Sequence, residues 1–224
     1  HMIHWYNDRN EETWLNEGFS ELAMFLNGYD TGGSDWAFAM APDTQLNTWP
    51  EGPGTAGANY GAGYLLTSYF LDRFGAEATQ SLVSHEQNGL KAIDRVLEEL
   101  GAGITHVDLF ADWAIANLLD NAIKYSPKSG VVRCSIQLKE RTKVDTGDYL
   151  ECAIADQGPG IPPERLAMLF ARFGPNDPSR ELSAGLGLAF VKRAVYLMGG
   201  SIALEPETKG TTFLLAFPVV ASPE

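Results

Sequence analysis

Two glycine-rich turns in the second half of the chain constrain its fold more than any other feature. They are Asp156-Gln157-Gly158-Pro159-Gly160-Ile161-Pro162 and Ser183-Ala184-Gly185-Leu186-Gly187-Leu188. The first closes a strand-like run, and the second opens a helical pattern that covers Ala189–Met198 and stops at Gly199-Gly200. An acidic residue at a strand end can accept a hydrogen bond from a base amino group, and glycines let backbone approach a ligand closely. By itself, DxGxG also makes ordinary turns. A glycine-rich loop that opens a helix offers free N–H groups and the positive end of the helix dipole to a phosphate.

The flanking patterns supply the rest of a domain. Asp108–Tyr125 reads as a helix, with Phe110, Trp113, Ala114, Asn117, Leu118 and Ala122 recurring at three- and four-residue steps. Asn117, Asn121 and Lys124 share one stripe, predicted to face inward; polar groups there need a partner such as a phosphate–magnesium group. Pro127 ends the helix. Val131–Leu138 and Tyr149–Ala155 alternate as strands around the polar loop Lys139–Asp148. Phe170–Leu182, rich in Pro, Asn, Asp and Ser, reads as a mobile lid. Ser201–Leu204 and Phe213–Pro218 read as a closing hairpin.

Taken in order, these pieces resemble the catalytic and ATP-binding domain of sensor histidine kinases of two-component systems, the Bergerat fold. The matching boxes are NLLDNAIKYSP (117–127), DQGPGIP (156–162), LFARF (169–173), GLGLAFVKR (185–193) and KGTTF (209–213), over about 108 of 224 residues. The resemblance implies ATP and Mg²⁺ as ligands. Asn121 would ligate magnesium with Asn117 in support, Lys124 would face the phosphates, and Tyr125 would pack on the adenine. Asp156 would read the adenine amino group, with Gly158 and Gly160 clearing room for the base. Phe173 would position the lid, Gly185 and Gly187 would cradle the phosphates, and Thr212 would line the adenine pocket.

The first half is different in kind. Residues 1–107 carry 4 Lys and Arg against 15 Asp and Glu, whereas residues 108–224 carry 12 against 14, and all five Trp precede Asn117. This places a domain boundary at 107/108. Asn10–Asn27 reads as an acidic turn feeding an amphipathic helix. Its WLNEGFSE resembles the third-ligand helix of gluzincin metallopeptidases, in which Glu17 would bind zinc, and the likeness continues through Asn59–Phe74. His1 would be the last histidine of a truncated HExxH motif, although His1-Met2 also fits a cloning remnant. The first zinc histidine and the general base are missing, so no active peptidase is expected, and His4 and Glu21 read as packing or surface residues. Ser84-His85-Glu86 loosely resembles a phosphoacceptor box. Gly89 stands where the expected proline would be, and too few residues separate His85 from Asn121 for two long helices. A capping or surface role is the expectation for His85.

The two likenesses overlap at Phe110–Leu119, which suggests an engineered or recombined chimera spliced between Asp108 and Leu119. Any phosphotransfer would then need a phosphoacceptor histidine supplied in trans. The alternatives are a structural chimera without a working nucleotide pocket and, ranked last, a zinc peptidase. A net charge of −13 argues against nucleic acid as a partner. No run approaches the ~18 apolar residues of a membrane span, and a cytoplasmic location is expected. Cys134 and Cys152 fall in strand-like runs without metal-ligand spacing and read as buried, reduced thiols. The expected fold is α+β: a mostly helical region, then a mixed sheet packed on three helices.

Overall fold

The computed structural model describes residues 9–41, 44–50, 56–139, 148–166, 169, 186–205 and 210–218. By contact the chain divides into two units, His1–Trp113 and Ala114–Glu224.

The first unit is helical: α1 (Thr13–Leu26), α2 (Ser34–Met40), α3 (Gly57–Val83), α4 (Gly89–Glu99) and the start of α5 (His106–Tyr125). α1 buries Trp14, Leu15, Gly18, Phe19 and Leu22, the spacing of one helical face. Burying each large side chain contributes about 1.5–3 kcal/mol. Glycines let the helices meet at backbone distance. A Cβ on Gly18 would stand 2.6 Å from the Gly63 oxygen, and one on Gly61 would run into the Ser34 carbonyl. Thr67 closes the α1–α3 crossing, its hydroxyl donating to the Gly18 carbonyl at 3.1 Å. Gly75, at φ 81°, kinks α3.

α5 begins with a capping box. The Thr105 carbonyl accepts the Leu109 N–H at 2.9 Å, while Asp108 Oδ2 accepts both the Thr105 backbone N–H and its hydroxyl at 2.8 Å. Asp94 on α4 adds a bond from the His106 N–H at 2.7 Å. The helix therefore starts at His106 rather than at Asp108, because Asp108 occupies the third helical position as a capping partner. Trp113 stacks near Phe38 and Tyr69, and Arg73 pairs with Asp112 at 2.6 Å, all within the first unit.

The second unit is an α/β sandwich. Its sheet comprises β1 (Arg133–Lys139), β2 (Tyr149–Asp156), β3 (Ser201–Glu205) and β4 (Thr211–Pro218), in the order β1-β2-β4-β3. Every described pairing is antiparallel, so the expected mixed sheet is corrected. β1–β2 and β3–β4 are consecutive pairs, and the connection through the helices returns β4 beside β2 in the opposite direction. The remaining helices are α6 (Pro163–Leu166) and α7 (Leu186–Leu197). Ala114, Leu118 and Ala122 of α5 and Leu188, Val191, Ala194 and Val195 of α7 form a core with Cys152, Ile154, Phe213 and Leu215. Gly199, at φ 72°, and Gly200 end α7 by returning their N–H groups to the Tyr196 and Val195 carbonyls.

β1 is an edge strand. Cys134 and Ile136 stand opposite Ile154 and Cys152, on the helix-facing side, yet Ile136 is 66% and Leu138 62% exposed. Cys152 is buried as expected, whereas Cys134 is exposed, because the core cluster stops short of the edge strand.

Candidate functional site

The first glycine turn, the end of α5 and the start of β4 converge at one end of the second unit. β2 delivers Asp156 at its last position, where Asp156 Oδ1 accepts the Gly158 N–H at 2.7 Å. This Asx-type bond fixes one carboxylate oxygen and aims the turn. A Cβ on Gly158 would stand 2.8 Å from the Tyr125 carbonyl oxygen, so the turn is seated directly on the last turn of α5. The crowding that requires glycine here comes from protein backbone. Gly160, at φ 77°, lies against Gly210: a Cβ there would be 3.1 Å from the Gly210 oxygen. Gln157 Oε1 accepts the Val131 N–H at 3.0 Å, which holds Val131 out of the ladder and starts β1 at Arg133 rather than at Val131.

The stripe on α5 differs from expectation. The buried positions are Ala114, Leu118 and Ala122, while Asn117 and Asn121 are half-buried beside them and Lys124 is exposed. Burial follows the apolar i, i+4, i+8 line, so the asparagines flank the core rather than enter it. Asn121 precedes Tyr125 by four residues, about 6 Å along the helix at 1.5 Å per residue. Tyr125 is 38% exposed, and Lys124 Nζ lies 5.8 Å from its ring centroid.

Thr212 is buried on β4, opposite Ala155 of β2 and Glu205 of β3. The ladder sets Thr211, also buried, directly across from Asp156. Directly paired residues share a sheet face, so Thr211 stands on the side of Asp156 and Phe213, and Thr212 on the other. Thr211 and Gly210 stood inside the KGTTF box, but sequence reasoning gave a role only to Thr212. Their signal was the Gly-Thr step at the start of a strand, and only the register identifies their neighbour. Gly187 lies in the first turn of α7. Gly185, Phe173 and the expected lid at Phe170–Leu182 lie outside the described residues.

Residues 106–221 match the family model described as histidine kinase-, DNA gyrase B-, and HSP90-like ATPase. The chain belongs to this ATPase family. Residues 106–221 are its histidine-kinase-type ATPase catalytic domain. The chain is 40% identical over 100 residues to the signal transduction histidine-protein kinase/phosphatase MprB of Mycolicibacterium vanbaalenii, a match covering 44% of this chain and 19% of that protein. It is 33% identical over 186 residues to the sensor histidine kinase Hik2 of Synechocystis sp., covering 79% of this chain and 39% of Hik2. Among solved structures, a mycobacterial sensor histidine kinase MprB is similar at 37% identity with a TM-score of 0.36, covering 47% of this chain and 68% of that one. The chain thus spans about a fifth of MprB and two fifths of Hik2.

A match covering 79% of the chain reaches well upstream of the ATPase domain into the helical unit. The likeness of the first half to a gluzincin is therefore corrected to a likeness to sensor kinases, and the splice inferred from it loses its main support. The short WLNEGFSE run is also what an amphipathic helix packed through Gly18 needs, with Trp14, Leu15 and Phe19 buried. Glu17 is half-buried there; burial, aided by the like charge of Glu21, pushes its carboxyl up from the usual range. His1 and His4 lie outside the described residues. His85 follows the end of α3, with Nδ1 accepting the Gln87 N–H at 3.0 Å and Nε2 3.7 Å from Glu99, in a turn rather than along a helix. Among the described residues no helix is long and apolar enough to cross a membrane.

Proposed function

We propose that this chain binds ATP with Mg²⁺ at the junction of α5, β2 and β4 and acts as the catalytic part of a histidine kinase. The phosphoacceptor histidine would be supplied in trans. The observation that carries this reading is the cradle around Asp156. Gly158, Gly160 and Gly210 each stand where a Cβ would strike backbone, and the Asp156 carboxylate is oriented by its bond from the Gly158 N–H. A carboxylate so held can accept a hydrogen bond from the exocyclic amino group of adenine.

The other residues fit the same ligand. Asn121 would supply a neutral amide oxygen, a ligand type that magnesium accepts beside phosphate oxygens and water, with Asn117 supporting the site. Lys124 would face the phosphates and Tyr125 would pack on the base. Thr211 is better placed than Thr212 for a base-side hydroxyl, since it shares the face of Asp156. Gly185 and Gly187 would receive the phosphates at the start of α7, where N–H groups and the helix dipole favour anions. Phe173 would position the covering segment.

Calorimetric titration of the whole chain with ADP and with a non-hydrolysable ATP analogue, with and without Mg²⁺, tests this reading. Binding is expected for both, and Asp156→Asn should weaken it about 10- to 100-fold, the worth of one charged hydrogen bond. Asparagine retains an oxygen for the Gly158 N–H, so the turn should survive the substitution. No binding in the millimolar range would overturn the proposal in favour of a scaffold without a working pocket. The exposed helix-facing side of β1 is the feature that favours that second reading.

A further inference from the structure

Gly210 is wedged between the two ends of the first glycine turn. It adopts φ 89°, and a Cβ built on it would run into the Asp156 carbonyl and reach Gln157 Cα at 3.6 Å. Its own carbonyl oxygen lies 3.1 Å from where a Gly160 Cβ would sit. Gly210 also immediately precedes Thr211, the ladder partner of Asp156. A side chain on Gly210 would therefore press on the backbone that carries the Asp156 carboxylate.

We infer that Gly210 is a positioning residue: its missing side chain sets where the Asp156 carboxylate stands, and through it the selectivity of the site for a 6-amino purine. This rests on the reading that the site takes an adenine nucleotide. Asp156 Oδ1 is fixed by the Gly158 N–H, so the direction of the second oxygen follows the backbone at Asp156. A methyl group at Gly210 displaces that backbone away from β4 and turns the second oxygen off the amino group. A hypoxanthine base presents a carbonyl in place of the amino group and cannot donate to that oxygen from position 6, so its affinity should not fall with the displacement.

Strain at a positive φ is a separate effect, and the chain contains its own control. Gly199 has φ 72°, and a Cβ there would meet only Pro218 Cγ at 3.6 Å, an ordinary contact at the far end of β4. Gly199→Ala therefore carries a similar backbone penalty without pressing on Asp156.

The test is titration of the whole chain, Gly210→Ala and Gly199→Ala with ADP and inosine diphosphate in the presence of Mg²⁺, alongside thermal melts. The unaltered chain and Gly199→Ala should share one preference for ADP. Gly210→Ala should lose about tenfold in ADP affinity with inosine diphosphate unchanged, the signature of one misplaced charged hydrogen bond. Gly160→Ala presses on Gly210 from the other side and should shift the preference in the same direction, which keeps the proposal open to test if Gly210→Ala fails to fold. An unchanged preference in a folded Gly210→Ala, equal loss for both nucleotides, or no shift in Gly160→Ala with Gly210→Ala unfolded would overturn the proposal alone. Failure of the unaltered chain to bind either nucleotide would overturn the ATP reading as well.

Discussion

Gly158 rests on the carbonyl of Tyr125, with 2.8 Å separating that oxygen from where a Cβ would stand. The first glycine turn is therefore seated on the asparagine-bearing helix, and the two should move together. Gly158→Ala must push the turn off α5. It should cost about 1–3 kcal/mol, the range for overpacking, and weaken ADP binding at the same time. Urea unfolding and calorimetry on the same sample check both effects. Normal stability together with normal affinity would show that the turn and the helix move independently.

Asn121 is the side chain proposed to ligate magnesium, which makes its role separable from base recognition. Asn121→Ala should abolish the gain in ATP-analogue affinity that Mg²⁺ confers and leave ADP binding in chelator almost unchanged. The measurement is the ratio of affinities with and without Mg²⁺ in the two proteins. Equal ratios would remove Asn121 from the metal site.

Thr105 starts α5 by donating its backbone N–H and its hydroxyl to the Asp108 carboxylate, each at 2.8 Å. Thr105→Ala removes the hydroxyl of this box and should cost about 1 kcal/mol, typical of a lost cap. Asp108 can still accept the residue-105 N–H, so the loss should not reach the upper end of that range. Chemical unfolding followed by circular dichroism reads the difference.

Burial, with a smaller effect from neighbouring Cys134, pushes the Cys152 thiol up from its ordinary value. The folded state then keeps a proton that the unfolded chain releases near pH 8.5. The stability linked to this thiol is full below that pH and is lost progressively as pH rises through the raised folded value. Urea midpoints between pH 7 and pH 10 should fall more steeply for the unaltered chain than for Cys152→Ala. Parallel slopes would contradict the shift. Under native conditions an aromatic disulfide reagent should label exposed Cys134 at least about tenfold faster than Cys152.

Much of the second unit was legible because its signals are local. Helix α5 follows from a three- and four-residue apolar rhythm ended by Pro127, and α7 from a similar rhythm ended by Gly199-Gly200. What escaped was set by partners distant in sequence. The start of α5 shifted because Thr105 and Asp108 cap each other, and β1 began late because Gln157 captures the Val131 N–H. The inward reading of Asn117 and Asn121 held only halfway, because the line of deepest burial runs beside them and leaves them half-buried. Only packing decides that Ala114, Leu118 and Ala122 occupy that line.

The two glycine turns, as a sequence, determined that the chain carries an acidic residue at a strand end, glycines able to admit a ligand, and a helix opened by glycine. Those properties belong to single residues and their neighbours, so no partner is needed to read them. The tertiary structure alone decided which glycine is needed for what: Gly158 for the Tyr125 carbonyl, Gly210 for the Asp156 carbonyl, and Thr211 rather than Thr212 on the face of Asp156. Each of these depends on strand register and on the approach of backbones far apart in the chain. Register is the cumulative outcome of the whole sheet's pairing against its core, and a one-residue slip would exchange every face.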